Sequence, residues 1–278
     1  GRRKFRVAAV QPAGAPPLRL ASGSDCIEVM TGASLPDGCD AVVPVERIRM
    51  DGDVATLEAG HEPASWMHVH RRASDARLGD LLLPAGTRLG GPEIAIAASV
   101  GLALLTVARA PRIAVISTGD ELIEPGLPVL GHQVRRSNSY GLGAALRLAG
   151  FPPITDLHLP DQRPVQEEAL ADVLARHDVL VLSGGVSAGR FDHVPGALTA
   201  LGVRRVFHQV SQRPGRPLWF GIGNAGTAVF ALPGNPVSVQ VCLSRYVIPA
   251  LLTATGARTS PRRNVALPPE KFWSAVSL

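Results

Sequence analysis

The apolar positions of this chain change rhythm along its length. Up to about residue 62 they come in short runs, FRVAAV, CIEVM, DAVVPVERI and DVATLE, broken by the turn-forming clusters QPAGAPP, PDGCD and DGD. Such spacing predicts a small antiparallel β unit. Further on, the polar stretch RRASDARLGD leads through LLLPAGTRLG to PEIAIAASVG, which reads as a helix with Pro92 in its first turn and Gly101 as its stop. From Arg112 to about Ala257, strand and helix patterns alternate. RIAVIST, ITDLHL, DVLVLSGG and GTAVFALPGNP are the strands, and DVLVLSGG is apolar enough to be buried on both faces of a parallel sheet. SNSYGLGAALRLAG is a helix capped by Ser137 or Ser139 and ended by Gly150. RPVQEEALADVLARH places Val165, Ala169, Leu170, Val173 and Leu174 on one helical face, and VSVQVCLSRYVIPALL is a helix started by Asn235 and Pro236. The expected organisation is a β-rich domain over 1–69, a connecting helical segment over 70–110, an α/β domain over 111–257 and a remainder, 258–278, too short for a domain.

Repeated βα units imply a doubly wound, mostly parallel sheet, whose ligands bind at the carboxyl ends of the strands. Three loops fall there: STGDE, SGGVSAGRFD and PGNPVS. Gly184, Gly185 and Gly189 let backbone approach an anion, with the Ser183 and Ser187 hydroxyls beside it; a sharp turn needing positive φ explains the glycine pair as well. Asp120 and Glu121 are paired carboxylates that suit Mg²⁺ next to phosphate oxygens, or the capping of a turn. Asn235 and Ser238 suit an anion or simply a well-formed helix start. Arg213 and Arg216, three apart on a Pro/Gly-stiffened turn, suit bidentate oxyanion recognition or stand as solvated surface arginines. His68 and His70 alternate without a third ligand, and no nucleophile–base–acid set declares itself.

Composition narrows the partners. The net charge of +5 is arginine-based, since only Lys4 and Lys271 are lysines among 28 basic residues, and aromatics are 4%. Scattered arginines and few rings for base stacking favour a phosphate-bearing small molecule over nucleic acid. Cys26, Cys39 and Cys242 lie far apart with neither disulfide nor zinc spacing, which fits a reducing, cytoplasmic setting. GRRKFRV has no apolar segment behind it, and the uncharged stretch 94–108 is too short to span a bilayer, so no membrane is expected.

Taken together, MTGASLPDGCDAVVPVE (30–46), AGTRL (85–89), VISTGDEL (115–122), SNSYGLGAALRLAG (137–150), SGGVSAGRFD (183–192), RPGRP (213–217) and LPGNPVS (232–238) resemble, in order and spacing, the molybdopterin molybdenumtransferase family, which includes the bacterial enzyme and the E domain of gephyrin. The resemblance implies a molybdopterin-binding-like α/β domain, and insertion of molybdate into adenylylated molybdopterin with Mg²⁺-dependent release of AMP. It also implies a homodimer with the site between the α/β domain of one subunit and the β domain of the other, and contact with the pathway's adenylyltransferase. Carried over residue by residue, Asp120, Glu121 and Asp192 match the metal-handling acids, and Asp75 and Asp161 match further catalytic acids beside Glu121 and Asp192. Thr31, Gly184, Gly185, Ser187, Arg213, Arg216, Asn235 and Ser238 match substrate- and anion-binding positions. The family pattern has lysines at Arg213 and Arg216, an acid or small polar residue near Arg190, usually Asp at Arg136, and Glu at Ser74. Its amino-terminal DGYA-like stretch and carboxyl-terminal β domain find no match, so both ends are expected to be missing and 258–278 to be a stub of that domain. Two other readings follow from the same residues. One is a non-catalytic pterin- or nucleotide-binding fragment of the family; the other is adenylyl transfer to the pterin, against which MTGA and the β unit before it argue.

Overall fold

In the computed structural model, which describes residues 2–185 and 193–259, the first alternating run becomes β1 (Lys4–Gln11), whose residues alternate between exposed and half-buried. It pairs antiparallel with β4 (Val54–Leu57), which pairs in turn with β3 (Ile48–Asp51) across a turn where Gly52 takes φ +59°. β2 (Asp25–Val29) lies on the other side of β1 and runs parallel to it. The expected antiparallel unit is therefore a mixed four-stranded sheet. The physical reason lies between β1 and β2, where the connection is long enough for a parallel crossover and is gathered by the fully buried Gln11. Its Nε2 donates to the Pro12, Ala15 and Pro16 carbonyls at 3.1–3.4 Å, and its Oε1 accepts from Leu18 N–H at 2.6 Å.

The chain divides into two compact units, Gly1–Leu82 and Leu83–Leu278; the division falls within the segment expected to connect. The second unit opens with α1 (Gly91–Ser99), which carries Pro92 in its first turn and is followed by Gly101 at φ +84°. It then builds a six-stranded sheet in the order β10-β11-β12-β9-β5-β8. The strands are β5 (Ile113–Thr118), β8 (Ile154–Leu159), β9 (Val179–Ser183), β10 (Arg204–His208), β11 (Trp219–Ile222) and β12 (Ala228–Leu232), with a short parallel ribbon, β6 (Leu122–Ile123) and β7 (Val134–Arg135), outside the sheet. β8, β5, β9 and β12 are parallel. β10 and β11 add an antiparallel edge that the sequence pattern did not reveal.

Helices cover both faces. α2 (Ser137–Leu148), α5 (Pro236–Cys242) and α6 (Ile248–Ala254) bring Leu142, Leu146, Val239, Cys242 and Leu251 against Ile113, Val115, Val181 and Leu232. α3 (Arg163–Arg176) and α4 (Val194–Ala200) bring Leu170, Val173, Ala197 and Leu198 against Ala114, Ile116, Leu180 and Leu182. Alternate residues of β5 and β9 thus feed opposite cores, and those strands read as unbroken apolar runs for that reason. α2 starts at Ser137 with Arg136 in the cap position and no side-chain cap, so neither Ser137 nor Ser139 caps it. Ser139 is instead buried on the core face. The last expected helix is interrupted by a π turn at Leu243–Val247. Pro249 lacks the N–H that would reach back one turn, and the ladder slips by a residue just before it. The run Pro236–Ala254 is long and apolar enough to cross a membrane by length and composition alone, but Val239, Cys242, Leu243, Val247 and Leu251 are buried in the core.

At the amino edge of the sheet, Asp178 accepts from Arg109 Nη1 (2.9 Å), Arg112 N–H (2.8 Å) and Arg112 Nη2 (3.1 Å). Hydrogen bonds from Arg112 and then Arg109 hold its carboxyl well below the usual carboxylate range. Because the folded value is depressed, this stabilisation is complete above the unfolded value of about 4, shrinks as pH falls below it and is gone only below the folded value. Asp178→Asn is expected to cost about 2 kcal/mol at pH 7, and the gap between wild-type and variant melting temperatures should narrow in melts at pH 3.

Candidate functional site

In chain order the four parallel strands lie as second, first, third, fourth, so the topological switch point falls between β5 and β9, where ligands of such sheets bind. β5 ends at Thr118, and Gly119 turns the chain at φ +138°. That backbone conformation, with the Glu121 carboxylate beside the place a Cβ would take, suits glycine and lets the two acids follow at once. β5 and β8 run in register, Thr118 beside Leu159, and Asp120 and Asp161 lie two residues beyond those ends. Asp161 N–H donates to Asp120 Oδ1 at 3.0 Å. Gln166, buried on α3, donates from Nε2 to Pro160 O at 2.9 Å and to Asp161 Oδ1 at 3.4 Å. Burial, reinforced by the negative charges of Asp120 and Glu121, pushes the Asp161 carboxyl above its ordinary value.

The glycine pair after β9 closes onto this turn. Gly184 and Gly185 take φ +94° and +66°, and Cβ atoms there would lie 2.8 Å from Thr118 O and from Val194 Cγ2 respectively. The steric demand for glycine is thus internal packing as well as turn geometry. Gly184 N–H donates to Leu232 O at 3.2 Å, so that amide does not face a ligand. Gly234 of the LPGNP loop packs against Gly184, and its carbonyl accepts from Asn138 Nδ2 at 2.8 Å. Asn235 Oδ1 accepts from both Ser238 N–H (3.1 Å) and Ser238 Oγ (3.3 Å). Ser238 therefore serves the cap of α5 and is turned inward.

Arg213 and Arg216 reach the same edge by a different route. The chain leaves β10 at His208 and re-enters β11 at Trp219, and Trp219 pairs with Ala231 near the carboxyl end of β12. The connecting turn thus opens where the parallel strands end. It is tied by Val210 N–H to Arg216 O (2.9 Å), and Gln212 Oε1 accepts from Tyr246 Oη (2.8 Å). Both arginines are exposed, and among the described residues neither guanidinium has a partner. They line a recess of about 560 Å³ with Gln209, Val210, Ser211 and Gln212. β11 stands three strands from β5, roughly 14 Å along the edge at ordinary strand spacing.

Two further candidates belong to the first unit. Thr31 is exposed in the turn after β2, where Ala33 N–H donates to Met30 O at 2.9 Å. Asp75 is exposed, with His70 Nε2 at 3.0 Å. Its loop holds three non-glycine residues at positive φ, Trp66, His68 and Ala73, and Arg71 stacks over Trp66 at 4.7 Å. Ser187, Arg190 and Asp192 lie outside the described residues. Among the described residues no set of three His, Cys, Asp or Glu side chains is arranged to hold a metal ion.

A molybdopterin molybdenumtransferase of Synechocystis is 41% identical over 89% of this chain, and molybdopterin molybdenumtransferase 2 of Mycobacterium tuberculosis is 35% identical over 88%. The family described as "Probable molybdopterin binding domain" matches residues 114–253, half of the chain, and "MoeA N-terminal region (domain I and II)" matches residues 2–101. The chain belongs to the molybdopterin molybdenumtransferase family. It spans 64% and 61% of the length of those two relatives. Two crystal structures of the molybdopterin biosynthesis MoeA protein from Pyrococcus horikoshii, 28% and 26% identical, superpose with a TM-score of 0.70 over 91% and 92% of this chain and 62% of each of theirs. The family's mixed α/β architecture with a small β-rich unit before it is therefore the one found here. Within this member, sequence reasoning missed Gln166 and Asn138. A glutamine in the first turns of the helix after ITDLHL, and an asparagine at a helix start, were the available signals.

Proposed function

We propose that this chain contributes to inserting molybdate into adenylylated molybdopterin with release of AMP, a step of molybdenum cofactor biosynthesis. The observation that carries the reading is the gathering of opposite chemistries on one sheet edge: Asp120, Glu121 and Asp161 at the switch point, and the unpartnered Arg213 and Arg216 on the β10–β11 turn. An extended ligand bearing a phosphoanhydride and a dithiolene spans such a distance.

The carboxylates suit Mg²⁺: they are hard oxygen donors, Asp161 N–H holds the Asp120 carboxylate at 3.0 Å beside the β8 end, and burial together with the negative charges of Asp120 and Glu121 raises the Asp161 carboxyl, a strain that a cation relieves. Asp120 and Glu121, with Asp192, would hold the ion, which when bound neutralises charge on phosphate oxygens. The remaining chemistry belongs to the chain. Asp161, its carboxyl raised first by burial, is the acid assigned to proton transfer at the leaving or attacking oxygen. Arg213 and Arg216 offer planar forks to a tetrahedral oxyanion. Asn235, its Oδ1 spent on the cap, keeps its amide nitrogen for the substrate, Gly184 borders the same loop, and Gly185 and Ser187 are assigned to the anion. Thr31 and Asp75 would complete the site from a second copy. α1 and the segment after it, with Ile94, Ile96, Val100, Leu102 and Leu104 all exposed, offer an apolar surface for homodimer formation. A cytoplasmic setting and contact with the pathway's adenylyltransferase complete the proposal.

Each of Arg213→Gln and Arg216→Gln is expected to raise the molybdate concentration for half-maximal AMP release by roughly tenfold, the worth of one charge-assisted hydrogen bond, with affinity for adenylylated molybdopterin little changed. A molybdate dependence unchanged in both variants would remove the arginines from the oxyanion site. A non-catalytic pterin- or nucleotide-binding role is the competing reading.

A further inference from the structure

Asp120 and Glu121 follow β5, Asp161 follows β8, and one side chain is fastened to both segments. Arg136, the residue before α2, is only 7% exposed. Its Nη2 lies 2.8 Å from Glu124 Oε1, at the far end of the acid-bearing turn, and its Nη1 and Nη2 donate to Asp156 Oδ1 and Oδ2 on β8 at 3.1 and 3.0 Å. Nη1 also lies 3.3 Å from Ser117 Oγ on β5, and the Arg136 main-chain N–H donates to Ile123 O at 2.9 Å. Tyr140 Oη donates to the second oxygen of Glu124 at 2.8 Å. The turn carrying Asp120 and Glu121 is thus held by the sheet at Thr118, by the β6–β7 ribbon at Leu122 and Ile123, and by this guanidinium at Glu124. The same guanidinium grips β8 five residues before Asp161. Two parallel bonds to one carboxylate plus a third to another need a planar fork; an ammonium cannot make them together.

We infer that Arg136 is a positioning residue: it staples the two acid-bearing segments and so sets the spacing of Asp120 and Glu121 from Asp161. This role rests on the reading of those acids as the cation- and proton-handling groups. Its signature differs from that of a charge effect. A nearby positive charge by itself weakens cation binding, so Arg136→Lys, which keeps the charge, should change nothing if charge alone matters. If alignment matters, the lysine variant should bind a cation less well.

Hydrogen–deuterium exchange on the whole chain tests the staple without any metal. In Arg136→Lys, amides of 119–124 and of 161 and 162 should exchange at least several-fold faster, while those of β9 and β12 keep their wild-type rates. Glu124→Gln, which leaves the Arg136–Asp156 pair in place, should loosen 119–124 only. Exchange that rises uniformly through β9 and β12, or that stays unchanged in either acid-bearing segment of Arg136→Lys, would overturn the inference. Mn²⁺ titration adds the second readout: Arg136→Lys should bind about tenfold more weakly, as for residues that orient metal ligands, and equal or tighter binding contradicts the role. A wild-type chain that binds no Mn²⁺ would count against the metal reading of the acids, and the exchange pattern would still decide the staple.

Discussion

Asp120→Asn is expected to lower the rate of AMP release by on the order of 100-fold, the scale seen when a preorganised charged or polar group is removed from the reacting centre, while far-UV circular dichroism stays unchanged. The fold should survive because the amide keeps an oxygen in the place of Oδ1 to accept Asp161 N–H. The charge is what is lost. With it goes part of the attraction for a divalent cation and one of the causes that push the Asp161 carboxyl upward, the other two being burial and Glu121. A Mn²⁺ affinity and a rate both equal to wild type would take Asp120 out of the reacting centre and leave it as a cap for the β8–α3 turn.

Gly185→Ala should cost about 3 kcal/mol of stability, read as a lower denaturant midpoint. Two separate costs add: about 1–2 kcal/mol for a side chain in the left-handed region, and about 1–3 kcal/mol for forcing a methyl into filled space. The space is filled by Val194 Cγ2 and Thr118 Oγ1, both under 3.0 Å from where the Cβ would stand. Gly196 supplies the contrast. It lies inside α4 with nothing within 4 Å of its missing Cβ, so Gly196→Ala should stabilise by about 0.5–1 kcal/mol. Equal midpoints for the two variants would mean that the glycine pair is not packed as described.

What could be read from the sequence was whatever a single strand or helix displays by itself. β5, β9 and β12 are buried on both faces, and unbroken apolar runs announce that. The Asn235-Pro236 helix start is equally local, and the observed cap matches it. β10 and β11 escaped because Arg204 and Arg205 are exposed on an edge strand and WFGI is only four residues long. The parallel placement of β2 escaped because alternation marks a strand and not its direction. The convergence of Asp120 and Asp161, 41 residues apart, was recoverable in part: two strands paired in parallel register, each followed by an acid two residues on, bring those acids together. The Arg136 pairs with Glu124 and Asp156 were not recoverable, since an arginine in a polar stretch looks the same whether solvated or buried. Its position in the sequence suggested a reversed charge beside the site, whereas the fold pairs it with two carboxylates.

The most direct test of the proposed activity is single-turnover AMP release from adenylylated molybdopterin bound to this chain with Mg²⁺, followed as molybdate is added. The expected result is AMP release that depends on molybdate, saturates with it, and needs the divalent cation. Tight binding of the adenylylated pterin without molybdate-dependent AMP release would contradict it and leave a binding protein built on the same sheet edge.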